Sequence, residues 1–418
     1  MSPLIAPVFA QLITVGVQAG SEARHVKAQD RHWEAEASPG AALILAWRRN
    51  AFAVGYGASF LGIQLEEEDR QKLIFHNAWL NDQYRFRRTT VSLNGSVSWG
   101  EINFQVAALQ PRPTQAPDSM PTPEPEPGAE PAPDQPSGTP TMGADAGSGD
   151  VAQTRVVNRS VSYLATNAGL SVSHQLSREL TLNGFTGYTV IGGLDEQSRA
   201  DYPTTRGLHV GAQGNYVLTL SAQDSVTLDV SAQQAWSSLG NRLTSLIGNT
   251  LWTHKFDGHT SSTLGAGLSN TRFSRDDGLI AYSVFPTFAA SIDHTRRLWR
   301  GQLGLNLGLF SNPVMDTLRA TIDPRIGASS SISYAQGKFS SSLNGTAAIS
   351  VAPEVNNTGA FDTYTASLNC AYDFVDEAGV TAGARMMKQQ FQGTDLIPLS
   401  YAVFLGLRLG YARKLNGL

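Results

Sequence analysis

The closing stretch of the chain, SYAVFLGLRLGYARKLNGL, puts an apolar side chain at every second position. Tyr401, Val403, Leu405, Leu407, Leu409 and Tyr411 share one parity; Ala402, Phe404, Gly406, Arg408, Gly410 and Ala412 share the other. A strand directs successive side chains to opposite faces. This segment therefore has one oily face tipped by aromatics and one small or polar face. In a soluble sandwich such an oily face packs on a core. In a transmembrane barrel it meets lipid while the polar face lines a lumen.

The period of two recurs along most of the chain. Leu303, Leu305, Leu307 and Leu309 alternate with Gln302, Gly304, Asn306 and Gly308. Val226, Leu228 and Val230 alternate with Thr227, Asp229 and Ser231, and Val91, Leu93 and Val97 with Ser92, Asn94 and Ser98. No stretch carries a convincing helical period. Short connections such as WRRNA, FRRTT, LSAQDS and AQGKFS alternate with mostly longer ones, including QLEEEDRQK, LDEQSRADYPTTR, SNPVMDTLRA, APEVNNTGAF and QGTDLIPLS. Tight turns on one side and longer loops on the other mark an up-and-down transmembrane barrel. A Greek-key sandwich has no reason to keep that order.

The expected fold class is therefore all-β, an antiparallel up-and-down transmembrane barrel in the outer membrane of a Gram-negative bacterium, with membrane lipid as its first partner. Seventeen strands are read from Ala41 onward, and VKAQDRHWEAEA at 26–37 supplies one more before a turn at 38–40. Eighteen is the expected number, since bacterial single-chain barrels are even-stranded, with sixteen as the alternative if two weak segments merge. Residues 1–25 are expected as a signal-peptide remnant or disordered N-terminus, although the first basic residue is Arg24. The first barrel strands then fall in 26–110, and the remaining strands in 151–418.

Composition agrees. Charged residues are only 16% of 418 and glycines number 40, yet no run approaches the ~20 apolar residues of a spanning helix. The net charge of −4 does not suggest nucleic acid. The single cysteine, Cys370, excludes an internal disulfide and sits on its strand's apolar parity as a small hydrophobe. Between 111 and 150 lie eleven of the twenty prolines and seven acids against Arg112 alone, a composition expected of a disordered external loop.

On the lumen parity stand Asn94, His209, Gln213, Asn215, Asp229, Gln302, Asn306, Asn344, Asn369, Asp373, Arg385 and Arg408, the expected pore-lining residues. Arg85, Arg87, Arg88, Arg296 and Arg297 fall at short turns and are expected to form a basic periplasmic rim that concentrates anions. The eight histidines show no metal-ligand spacing and no Ser–His–Asp arrangement, and no phosphate-binding glycine loop opens a helix. No enzyme activity, metal or cofactor is expected.

The run WEAEASPGAALILAWRRNAFAVGYGASF, followed by barrel-like sequence to the C-terminus, resembles the outer-membrane β-barrel porins of polysaccharide export systems. The resemblance is architectural and departs at the end, where Tyr411 is followed by seven further residues. It implies a translocation channel for a secreted polysaccharide, with a periplasmic polysaccharide-export protein and its polymer as partners. The competing expectation is a structural or surface-display barrel whose external loops bind an extracellular partner. A wide lumen favours the first, and inward-folded loops the second.

Overall fold

The computed structural model describes residues 12–27, 31–47, 49–65, 71–103, 160–201, 203–316, 320–351, 362–375, 377–391 and 394–416. The strands of the first half are β1 (Leu12–Lys27), β2 (Arg31–Ala46), β3 (Asn50–Leu65), β4 (Gln71–Arg85), β5 (Thr89–Asn103), β6 (Ser160–Gln175), β7 (Leu180–Gly193), β8 (Thr205–Thr219) and β9 (Asp224–Ser237). Then come β10 (Asn241–Lys255), β11 (Thr260–Arg275), β12 (Ile280–Leu298), β13 (Gly301–Asp316), β14 (Thr321–Gln336), β15 (Phe339–Ser350), β16 (Asp362–Val375), β17 (Ala378–Phe391) and β18 (Thr394–Asn416). A six-residue helix, α1 (Glu196–Asp201), lies between β7 and β8.

Every strand pairs antiparallel with its sequence neighbours, and β1 pairs with β18, so the eighteen-stranded sheet closes on itself. Closure leaves no edge strand, the condition for spanning a bilayer with sheet. The expected class and strand number are both met. The even number brings the start of β1 and the end of β18 to the same end of the barrel, the end that also carries the β4–β5, β12–β13 and β14–β15 turns.

The exterior is the oily parity. On β18, Leu405 and Leu407 are 60% and 55% exposed, while Ala402 and Phe404 on the opposite face are buried. From Tyr401 to Tyr411 the chain runs about 33 Å along the strand, roughly 25 Å of height at a tilt of ~40°, the thickness of an outer-membrane apolar band. Aromatic pairs ring the short-turn end of the exterior: Tyr84 with Phe86 at 4.5 Å, His254 with Phe256 at 4.7 Å, and Tyr372 with Phe374 at 5.6 Å between ring centroids. Such rings sit at headgroup level because one edge is apolar and the other tolerates water. Cys370 lies on this outward parity, partly exposed.

Three sequence expectations need correction. Residues 12–25, set apart as a signal remnant or disordered terminus, belong to β1. An apolar stretch ending in small residues satisfies a leader pattern and a barrel strand equally. Pairing with both β2 and β18 distinguishes them. Residues 38–40 form no turn but run through the middle of β2, where Gly40 faces Gln18. There Ser38 donates a hydrogen bond to the Gly20 carbonyl at 3.4 Å, so strand pairing overrides the local Pro-Gly turn signal. Finally, much of QGTDLIPLS and SNPVMDTLRA is strand rather than loop, lengthening β18 and β13. The proline tract at 111–150 lies outside the described residues.

Candidate functional site: the inner wall

Registers carry one face around the whole barrel. Asn94 stands opposite Gly169, which stands opposite Gly187, which stands opposite His209. Asn215 faces Asp229, and Asp293 faces Asn306, which leads through Ser331 and Asn344 to Ser367 and Arg385. Gln213 faces Ser231, Gln302 faces Ala335, and Asn369 leads through Gly383 to Phe404. Asp373 and Arg408 both face Gly379. All twelve expected pore-lining residues therefore share the inner face.

Some of them meet. The Gln213 amide donates to Asp229 at 2.7 Å, and Asn306 donates to Asp293 at 2.5 Å. Arg408 is ion-paired with Asp373 at 2.6 Å. His209 is buried against Gly187, where an added Cβ would come within 2.3 Å of the imidazole. It packs into the wall between β7 and β8. Among the described residues no group of His, Cys, Asp and Glu is arranged to hold a metal.

Inward aromatics show how the wall is shaped. Trp79 lies on Gly55, Phe185 on Gly211, Phe310 on Gly327 and Phe404 on Gly383; in each case a Cβ on the glycine would approach the ring to 2.4–2.6 Å. Each ring therefore lies against the neighbouring strand, filling the place of the missing side chain.

The richest charged cluster was not among the expected site residues. Arg24 on β1 is fully buried and ion-paired with Glu22 at 3.0 Å, with Glu34 at 3.4 Å and with Glu36, which also accepts a hydrogen bond from Ser59. Arg385 lies 4.3 Å over the Phe404 ring, within electrostatic reach of Glu22, Glu36 and Arg24. A buried arginine among carboxylates holds its geometry because separating any partner would strand a charge in a dry setting. The alternation in WEAEA already placed Glu34 and Glu36 on one parity. Reading residues 1–25 as a leader hid Glu22 and Arg24.

One mouth is narrowed. The end of the β13–β14 hairpin brings Met315, Ala320 and Ile322 against Ala235, Leu243 and Phe273 on the inner wall of β9–β11. Pro313 faces Pro324 in this hairpin. Two facing residues without N–H groups weaken the ladder and let the hairpin end depart from the cylinder.

The rim arginines do not converge. Arg85, Arg87 and Arg88 flank the β4–β5 turn, and Arg296 and Arg297 the β12–β13 turn, eight strands away in a ring of eighteen. They occupy nearly opposite sides of the same end.

No sequence family and no curated protein matches this chain. Solved structures similar to it include OccK7 (OpdD) of Pseudomonas aeruginosa, at 10% identity and a TM-score of 0.45 over 97% of this chain and 100% of that one. The outer membrane protein OpdK of the same organism matches at 9% and 0.43, over 97% and 100% of the two chains. OccAB3 of Acinetobacter baumannii matches at 8% and 0.43, over 96% and 99%.

Proposed function

We propose that this barrel is an outer-membrane channel for hydrophilic cargo, and that the cargo is a secreted polysaccharide handed over by a periplasmic export protein. The observation that carries the reading is the inner wall of β14–β16. There Ser329, Ser331 and Ser333 stand beside Ser342, Asn344 and Thr346, and these beside Thr365, Ser367 and Asn369. Hydroxyls and amides exchange hydrogen bonds with water and sugar at little net cost, so a hydroxyl-rich chain can slide along them without being trapped. The test pairs ion conductance of the reconstituted protein with secreted polysaccharide in a deletion strain. Current with loss of a secreted polymer supports the whole reading. Current with unchanged polymers leaves a channel for other solutes.

The β13–β14 hairpin end at the long-loop mouth favours a second reading, a structural or display barrel. Absence of current from correctly folded protein would support it.

A further inference from the structure

The inner wall of β12–β18 and β1 lines an open-sided cavity of about 590 Å³, within the range of small-molecule sites. Gln302, Ser333, Ser342 and Asn369 supply neutral donors and acceptors along it, and its charged members among the described residues are Glu22 and Arg385. Phe404 lies on Gly383, and Arg385 lies on Phe404, so stacking fixes the guanidinium at one end of the hydroxyl wall. Glu22 lines the same cavity, with Glu36 close behind it. On the same inner face, outside the cavity lining, Arg408 is matched by Asp373. Both of these positive charges are therefore offset by carboxylates: Arg385 lies within electrostatic reach of Glu22 and Glu36, and Arg408 is paired with Asp373. An anionic ligand would have to displace or oppose those carboxylates, at a cost that a neutral one avoids.

Resting on the channel reading, we infer that this wall is a binding groove for an uncharged, polyhydroxylated chain, and that it disfavours acidic sugars. Arg385 and Glu22 then act as a donor and an acceptor for sugar hydroxyls.

The test is block of single-channel current in planar bilayers by three short oligosaccharides: a malto-oligomer, an oligogalacturonate and a fully deacetylated chitosan oligomer. The uncharged probe should block at concentrations about tenfold below either charged one. Combining Ser342→Leu with Asn369→Leu should weaken that block about tenfold relative to the variant's own open current. Glu22→Gln should shift preference towards oligogalacturonate, because it exposes the charge of Arg385. Should Glu22→Gln fail to give a folded, heat-modifiable band, Arg385→Gln serves instead and should weaken any residual oligogalacturonate block. Stronger block of the original protein by oligogalacturonate overturns the inference. So does unchanged malto-oligomer block in the Ser342/Asn369 variant, or no block by any probe through an open channel. Absence of current altogether counts against the channel reading itself, not the groove.

Discussion

At the scale of single residues, parity decides what a substitution does. Leu407 faces outward and is more than half exposed, whereas Asn306 faces inward and donates to Asp293. Leu407→Arg should destabilise the assembled barrel by ~2–4 kcal/mol, the cost of a cation near the midplane. Its measure is the urea midpoint of the heat-modifiable band in lipid vesicles. Asn306→Arg should fold normally and shift ion preference towards anions in planar bilayers. Equal stability of the two variants would contradict the assignment of faces. A second residue-scale effect lies outside the membrane. Asp195 accepts hydrogen bonds from the Ser198 backbone N–H at 2.6 Å and hydroxyl at 2.9 Å, capping α1. Those bonds hold its carboxyl below the usual range. A depressed folded pKa means that the capping contribution is full at neutral pH and is lost only as pH falls through the folded value, below the ordinary carboxylate range. Proteolysis between β7 and β8 should accelerate only at such acidic pH, and already at pH 7 in Asp195→Ala.

At the scale of elements, β1 is the closing strand. It contributes the full ladders to β2 and β18 and brings Arg24 to Glu34 and Glu36. Deleting residues 12–27 leaves two strands that must find a new partner across a gap, while Glu34 and Glu36 lose the Arg24 cation. The deletion should abolish the heat-modifiable folded band. Arg24→Met, which keeps the ladder, should reduce stability while retaining the band. A deletion variant that folds normally would show that β2 and β18 close directly. The strand itself could be read from alternation: Val15, Val17 and Ala19 against Gln18, Gly20, Glu22 and Arg24. Its place could not, because the same apolar composition also satisfies an export leader. Likewise Pro39 and Gly40 satisfy a turn rule until β1 pairs with both of them and β3 pairs with Gly40, which makes them strand.

At the scale of the whole molecule, the five rim arginines form two groups on nearly opposite sides of the short-turn end, with Arg49, Arg178, Lys255 and Lys338 at the short turns between them. Neutralising Arg85, Arg87 and Arg88 together, or Arg296 and Arg297 together, should each lower anion preference in planar bilayers, most at low salt. The two effects should add without coupling, since the groups stand eight strands apart and share no partner geometry. A strong non-additive loss would mean that both act on one ligand that spans the mouth.

Alternation by itself determined that this protein is a membrane barrel, which face meets lipid and which residues share the inner wall; the count of eighteen matched although the first strand was expected at 26–37 and forms at 12–27. Those properties are local: a period of two fixes the side-chain face wherever a strand forms, and turn spacing fixes how often the chain reverses. Only the tertiary structure decided which inward residues meet. Gly383 accommodates Phe404 and Phe404 carries Arg385, a stack drawn from adjacent strands with the rings set by cross-strand register. Arg24 finds Glu34 and Glu36 through the pairing of β1 with β2, and Glu22 comes within electrostatic reach of Arg385 only because β1 also closes against β18. Contacts between the two ends of a chain depend on closure of the ring, and closure is not written in any local period.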